Sequence, residues 1–274
     1  MKDTRITCLS DNAVKLSSSL RGEHGIAFFI EQGNKSILFD TGQSFEVLSH
    51  NAEALGIDLG TVTDIILSHG HYDHTGGLLD AAMESRARIL CHPDVFEKKY
   101  KRVSGEDIYI GMPWSEEELS LVSDITCSTQ PTAVTPTLMA TGEVQRQDPL
   151  ERVPDLFLKE SGQGLVHDTI RDDQSLVIDN GEEATVLLGC NHAGMLNTLA
   201  YCQSLCKSPI TLVAGGTHLV AASPERIEAT AAYALTHGIV VHGYHCTGDA
   251  ASFAMRKEMG EQYGRGYVGM TYHR

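Results

Sequence analysis

Short apolar runs alternate with amphipathic stretches along most of the chain. Ile26–Ile30 and Ser36–Asp40 flank Gly33-Asn34 and predict a β-hairpin. Phe45, Leu48, Ala52 and Leu55 then recur at helical spacing, with Gly56 as a stop, so a helix is expected over 44–55. The run Asp64–Ser68 reads as a strand that ends at His69; a helix to about Ser85 and a strand over 87–92 follow, closed by Pro93. Regular alternation resumes at Ser175–Ile178, with a turn at Asn180-Gly181 and a partner strand at 184–188. A helix from about Met195 to Cys206, a strand over 210–214, a helix opened by Ser223-Pro224 and ending near His237-Gly238, a strand at 239–241 and a helix over 250–259 complete the pattern before a glycine-rich tail. This order predicts an α/β protein.

Between about 97 and 168 the pattern weakens, and this stretch reads as an insertion with some strands, among them 137–140 and 156–158. Its charge runs, at 98–102 and 116–118, are expected to be solvated, and Tyr109 and Trp114 to pack locally. No linker-like segment divides the chain, so 1–274 is read as one domain. With 274 residues and 42% hydrophobic content it can bury a large core. Thirty-six acidic against twenty-one basic residues give a net charge of -15, which disfavours a nucleic-acid partner. No apolar run approaches the ~20 residues that span a bilayer, and Met1–Thr7 lacks the apolar start of a secretory signal. No membrane partner and a cytoplasmic location are therefore expected. Seven cysteines without a C-x-x-C framework suit reduced thiols; Cys202 and Cys206 read as packing residues, and Cys190 and Cys246 as residues that line a site without ligating it.

That site is announced by His69-Gly70-His71-Tyr72-Asp73-His74, four metal-capable side chains in six positions directly after a strand. Imidazole nitrogen and carboxylate oxygen suit zinc, iron or manganese. Three further turns repeat the arrangement of apolar strand, glycine and histidine: Gly189–Gly194 with His192, Gly215–Leu219 with His218, and His242–Gly248 with His245. Strand ends are where α/β sheets place ligands, so four such turns favour one common centre. Asp172-Asp173-Gln174 is read as a solvated turn.

The H-x-H-x-D-H motif at 69–74, together with Asp40-Thr41-Gly42, resembles the metallo-β-lactamase superfamily over nearly the whole chain. Within it, Glu23-His24-Gly25, 68–77, 189–194, 215–219 and 245–248 look like the 7,8-dihydropterin-6-yl-methyl-4-(β-D-ribofuranosyl)aminobenzene 5'-phosphate synthase subgroup. The resemblance implies a four-layer αβ/βα sandwich with two mixed β-sheets. It assigns His69, His71 and His192 to one divalent metal, and Asp73, His74 and His245 to a second, with zinc, iron or manganese as the ion. A bridging aspartate common in the superfamily is missing, because its turn here is Gly215-Gly216-Thr217-His218. His218 is read either as a replacement ligand or as a contact for an anionic substrate. Asp40 either fixes the tautomer of a ligand imidazole or caps the following turn. Glu23-His24 is either an arm from which His24 orients substrate or donates a proton, or a surface turn.

The function expected from this resemblance is hydrolysis of a small phosphate- or ester-bearing molecule by a metal-bound hydroxide that Asp73 helps orient. Alternatives are a pterin-forming condensation, a redox di-iron protein and a non-catalytic metal-dependent ligand sensor. β-Lactam hydrolysis and nuclease activity are disfavoured.

Overall fold

The computed structural model describes residues 4–274. Met1, Lys2 and Asp3, which open both the stretch read for a secretory signal and the expected 1–274 domain, lie outside the described residues. Among those that are described, no helix is long and apolar enough to cross a membrane.

Two seven-stranded sheets carry the architecture. The first runs Thr271–His273, Thr4–Ser10, Ala27–Gln32, Lys35–Phe39, Asp64–Ile66, Arg88–Cys91, Ile125–Cys127 in spatial order. Its first four strands are antiparallel and the remainder are parallel. The second runs Tyr263–Arg265, Val240–Tyr244, Ile210–Gly216, Ala184–Leu188, Ser175–Asp179, Leu138–Ala140, Thr132–Ala133, parallel up to Ala184–Leu188 and antiparallel beyond.

Period-two alternation decides which face each side chain takes. Phe28, Ile37, Phe39 and Ile66 point inward, where they meet Leu176, Ile178, Leu187 and Leu212 of the other sheet. Their neighbours Phe29, Leu38 and Ile65 point outward and pack on Leu48 and Ala52 of the helix Phe45–Ala54 and on Leu78 and Ala82 of the helix Leu78–Ser85. On the second sheet Val186, Leu188, Val213 and Val241 face the helices Met195–Leu205, Pro224–Thr236 and Asp249–Met259. The result is the αβ/βα layering.

Three features depart from the sequence pattern. Thr4–Ser10 is a strand although only Ile6, Cys8 and Leu9 are apolar in it, and the glycine-rich tail contributes an edge strand to each sheet. The stretch 97–168 does not form one insertion: Ile125–Cys127, Thr132–Ala133 and Leu138–Ala140 extend the two main sheets. Its remainder builds a third, four-stranded antiparallel sheet, Gly164–His167, Phe157–Ser161, Lys99–Val103, Glu106–Tyr109. Trp114, expected to pack locally, instead packs on the core beneath the first sheet, and its indole N–H donates to the Thr75 carbonyl at 3.0 Å.

The run at 98–102 is not wholly solvated either. Lys99 is 1% exposed, and its Nζ donates to Asp168 at 3.1 Å and Asp172 at 2.9 Å. This buried triad ties the third sheet to the segment that leads into Ser175–Asp179. Lys99→Met would leave two buried carboxylates facing each other, and should lower unfolding free energy by about 3–5 kcal/mol in urea titrations; a loss below about 1 kcal/mol would count against the triad as an anchor.

Candidate metal centre

The chemistry-bearing turns stand where strands of the two sheets end. Asp40 follows Lys35–Phe39, His69 follows Asp64–Ile66, Cys190 and His192 follow Ala184–Leu188, His218 follows Ile210–Gly216 and His245 follows Val240–Tyr244. All of these strands run parallel to a neighbour, so their carboxyl ends gather at one edge of the sandwich. Asp40, Asn191, His218 and His245 all have positive φ, between 44° and 58°. Such strained backbone in non-glycine residues clusters where a side chain must be aimed.

Asp40 is fully buried and organises the first turn. It accepts from the Ser68 amide, the Ser68 hydroxyl and His74 Nδ1, each at 2.7 Å. Because the Ser68 hydroxyl gives its hydrogen to Asp40, it can only accept from His69 Nδ1, 2.9 Å away. One carboxylate thereby fixes the tautomers of His69 and His74 and leaves each Nε2 facing inward. Glycine at 189 permits this approach, since a Cβ there would lie 2.1 Å from the Ser68 hydroxyl oxygen. Gly70 is equally constrained: a Cβ would lie 2.2 Å from the Val95 carbonyl oxygen.

Asp172 and Asp173, expected as solvated turn residues, are buried. Asp172 accepts from the Gly70 amide at 2.8 Å while it holds Lys99. Asp173 accepts from the Ala193 amide at 2.9 Å, and Gln174 donates to the Leu67 carbonyl at 2.8 Å. Three consecutive residues thus staple the His69 turn to the His192 turn. Burial raises the Asp173 pKa to about 6.

One nitrogen each of His69, His71 and His192 lies within 4.8 Å of the others, and one ligand atom each of His24, Asp73 and His245 does the same. His74 joins the centre through Nε2, 3.8 Å from Asp73 Oδ2. The structure therefore brings together every residue singled out from the sequence. His24 is a partly exposed arm that reaches the site: its Nε2 stands 3.3 Å from Asp73 Oδ2, and Glu23 anchors the arm by accepting from Ser44 and Gln43. His218 lies beside His192, the two rings tilted at 44° with centroids 4.1 Å apart. Gly216 has no room for a side chain, because a Cβ would lie 2.5 Å from the Gly189 carbonyl oxygen.

Two site residues went unread in the sequence. Asp11 accepts from the His245 amide at 2.7 Å, and Asn12 Oδ1 accepts from His245 Nδ1 at 2.8 Å. Both follow the overlooked strand Thr4–Ser10. Their position after that strand was the available signal.

Electrostatics suit a cation. Burial, joined by the repulsion of neighbouring imidazoles, holds His69 and His192 well below the usual histidine range; burial also takes His71 to about 3, so these three stay neutral. Burial opposes ionisation of Asp73, but His74 and His245 outweigh it and hold the carboxyl well below the usual range. His71 Nε2, both nitrogens of His192 and His218 Nδ1 are buried without a hydrogen-bond partner. Orphaned ring nitrogens and an ionised carboxylate around one point fit a divalent metal, and nitrogen and oxygen donors suit zinc, iron or manganese.

The metallo-beta-lactamase superfamily profile matches residues 21–108. A 7,8-dihydropterin-6-methyl-4-(beta-D-ribofuranosyl)-aminobenzene-5'-phosphate synthase of Methanocaldococcus jannaschii is 28% identical, covering 97% of this chain and 95% of that protein. An uncharacterized protein of the same organism is 30% identical over 82% of this chain and 84% of its own length. The crystal structure of a metal-dependent hydrolase of the beta-lactamase superfamily superimposes with a TM-score of 0.85 at 28% identity, covering 98% of each chain.

Burial disfavours a charged His74, but Asp40 and Asp73 prevail and raise its pKa to about 9, above the 6.5 of a free histidine. A group raised in the folded state stabilises it fully below the unfolded pKa, and that contribution is lost as pH rises through the folded one. Metal-free protein should therefore lose up to about 3 kcal/mol of unfolding free energy between about pH 7 and about pH 10 through His74. Asp40→Asn should flatten this dependence in urea titrations at the two pH values. An unchanged pH dependence in the variant would contradict the Asp40–His74 assignment.

Proposed function

Since the chain belongs to the metallo-β-lactamase superfamily, we propose that it is a metal-dependent hydrolase of a small phosphate- or ester-bearing molecule. The observation that carries this reading is the convergence of His69, His71, His192, Asp73, His74 and His245, with the tautomers of His69, His74 and His245 set from behind. His69, His71 and His192 would hold one cation, and Asp73, His74 and His245 a second. When bound, a divalent cation supplies Lewis acidity, making a water acidic enough to lose its proton near neutral pH and polarising a phosphoryl or carbonyl oxygen.

The chain's own groups do the rest. Asp73, held ionised, presents Oδ2 to the cavity and orients the attacking water by accepting its hydrogen. The Asn12 amide donates to His24 Nδ1 at 3.2 Å, so neutral His24 carries its proton on Nε2, the atom that faces Asp73 and the cavity. The N–H on Nε2 thus lets His24 orient a substrate or leaving oxygen by donating a hydrogen bond, and the half-exposed ring can exchange with solvent. His218 lines the same cavity and supplies a hydrogen bond to an anionic substrate or a further ligand.

The cavity measures about 570 Å³, a volume suited to a small molecule. Phe157, Ile110 and Val220 form apolar wall, while Lys101 and Arg265 bring positive charge to it. Arg265 is engaged by Asp249, and Lys101 lies 6.0 Å from the Phe157 ring centroid. An anionic group on the substrate would meet Lys101 in a chain whose net charge is otherwise -15.

A second reading rests on the synthase of M. jannaschii, which matches 97% of the chain. In it, the same centre would assist departure of diphosphate as a dihydropterin joins an aminobenzene riboside phosphate.

Protein loaded with zinc, manganese or iron(II) should turn over members of a panel of phosphomonoesters, phosphodiesters and carboxylic esters, and lose that activity to a chelator. Asp73→Asn should reduce kcat by roughly 10²- to 10⁴-fold. No turnover across the panel with metal bound would sink the hydrolase reading, and a coupled product from dihydropterin diphosphate and the riboside phosphate would select the second. Asp40→Asn should weaken metal affinity by about 10- to 100-fold in competition titrations, because the tautomers it sets would no longer be enforced; unchanged affinity would remove Asp40 from the site.

A further inference from the structure

Sulfur stands at the middle of this constellation. Cys190 is 3% exposed and lines the cavity, and its Sγ lies 3.2 Å from His74 Nε2. That sulfur belongs to three separate clusters of ligand atoms lying within 4.8 Å of one another: with His69 and His74, with His192 and His218, and with His245 and Cys246. It therefore reaches imidazoles of both proposed cation positions. Zinc binds thiolate at about 2.3 Å and imidazole at about 2.0–2.1 Å, so two tetrahedral ligands of one ion sit roughly 3.5 Å apart, close to the Cys190–His74 spacing.

A second observation points to the same place. His192 is 4% exposed and neither of its ring nitrogens has a hydrogen-bond partner, yet one of them falls within reach of the Cys190 sulfur. Cys246 is differently committed: its thiol donates to the Cys190 carbonyl at 3.4 Å. The cavity side of Gly216 is closed by the same pair, since a Cβ there would lie 2.6 Å from Cys246 Sγ and 3.5 Å from Cys190 Cα. Sulfur occupies the space that a side chain at 216 would need.

We propose that Cys190 is a metal ligand, its thiolate shared between the His69–His71–His192 position and the Asp73–His74–His245 position. On binding, the thiol proton passes to solvent and the sulfur lone pairs bridge the two ions. A soft donor at the centre favours zinc, iron(II) or cobalt(II) over magnesium or calcium. The inference rests on the metal-binding part of the proposed function and is independent of which reaction the centre performs.

Cobalt(II) titration of the metal-free protein tests it without an activity assay. The native protein should develop a near-ultraviolet thiolate-to-cobalt charge-transfer band; Cys190→Ser should lose that band while keeping the weaker visible bands of histidine-bound cobalt, and Cys246→Ser should retain both. Absence of the band from the native protein, its persistence in Cys190→Ser or its loss in Cys246→Ser overturns the assignment. Should Cys190→Ser fail to fold, X-ray absorption on zinc-loaded Cys246→Ser protein decides instead, with a sulfur shell at about 2.3 Å expected and a shell of nitrogen and oxygen alone overturning it. A protein with the band but no hydrolysis would refute the hydrolase reading alone, and an active protein without it would refute the thiolate alone.

Discussion

The buried carboxylate of Asp40 is the constraint on which the site depends. A fully desolvated carboxylate needs its lone pairs filled, and Asp40 meets that need with an amide, a hydroxyl and an imidazole, all drawn from the segment 68–74. Satisfying one charge therefore orients two histidines. The backbone strain at Asp40 and the absence of any side chain at Gly189 are what let the carboxylate sit there.

Around that group the site is held by tethers from outside the histidine turns. Asp172, Asp173 and Gln174 connect the two halves of the sandwich, so the His69 turn from one sheet and the His192 turn from the other are fixed relative to each other by hydrogen bonds rather than by loop stiffness. Lys99 extends the same network into the third sheet, whose Phe157 then forms part of the cavity wall. Asp11 and Asn12 hold His245 in the same manner from the end of the first strand. Two triads assembled from three turns can keep ångström-scale geometry only because each turn has such a tether.

The elements that the sequence made legible were those with strong periodicity. Phe45, Leu48 and Ala52 on one helix, and the hairpins at Gly33-Asn34 and Asn180-Gly181, fall where their patterns place them, because one buried face and one turn chemistry suffice to specify them. Thr4–Ser10 shows no clear strand pattern because four of its seven residues are polar and its place in a sheet depends on partners at 27–32 and 271–273. The stretch 97–168 misled for a related reason: its short strands pair with three different sheets, and no local pattern encodes that choice. Asp172 and Asp173 looked like turn residues because burial of a carboxylate is decided by its partners, not by its neighbours in sequence.

By itself, the sequence determined the chemistry on offer: the dense H-x-H-x-D-H turn, three more histidine turns after apolar strands, and the glycines that allow close approach. Those are local facts, written in residue type and spacing. Tertiary structure alone decided which groups share a centre and in what state. His192 and Cys190 reach His69 only through the packing of two sheets, and the neutrality of His69 and His71 against the raised pKa of His74 follows from burial and from which carboxylate each one meets. Distance and desolvation are properties of the folded chain, and they turn a set of histidines into a site.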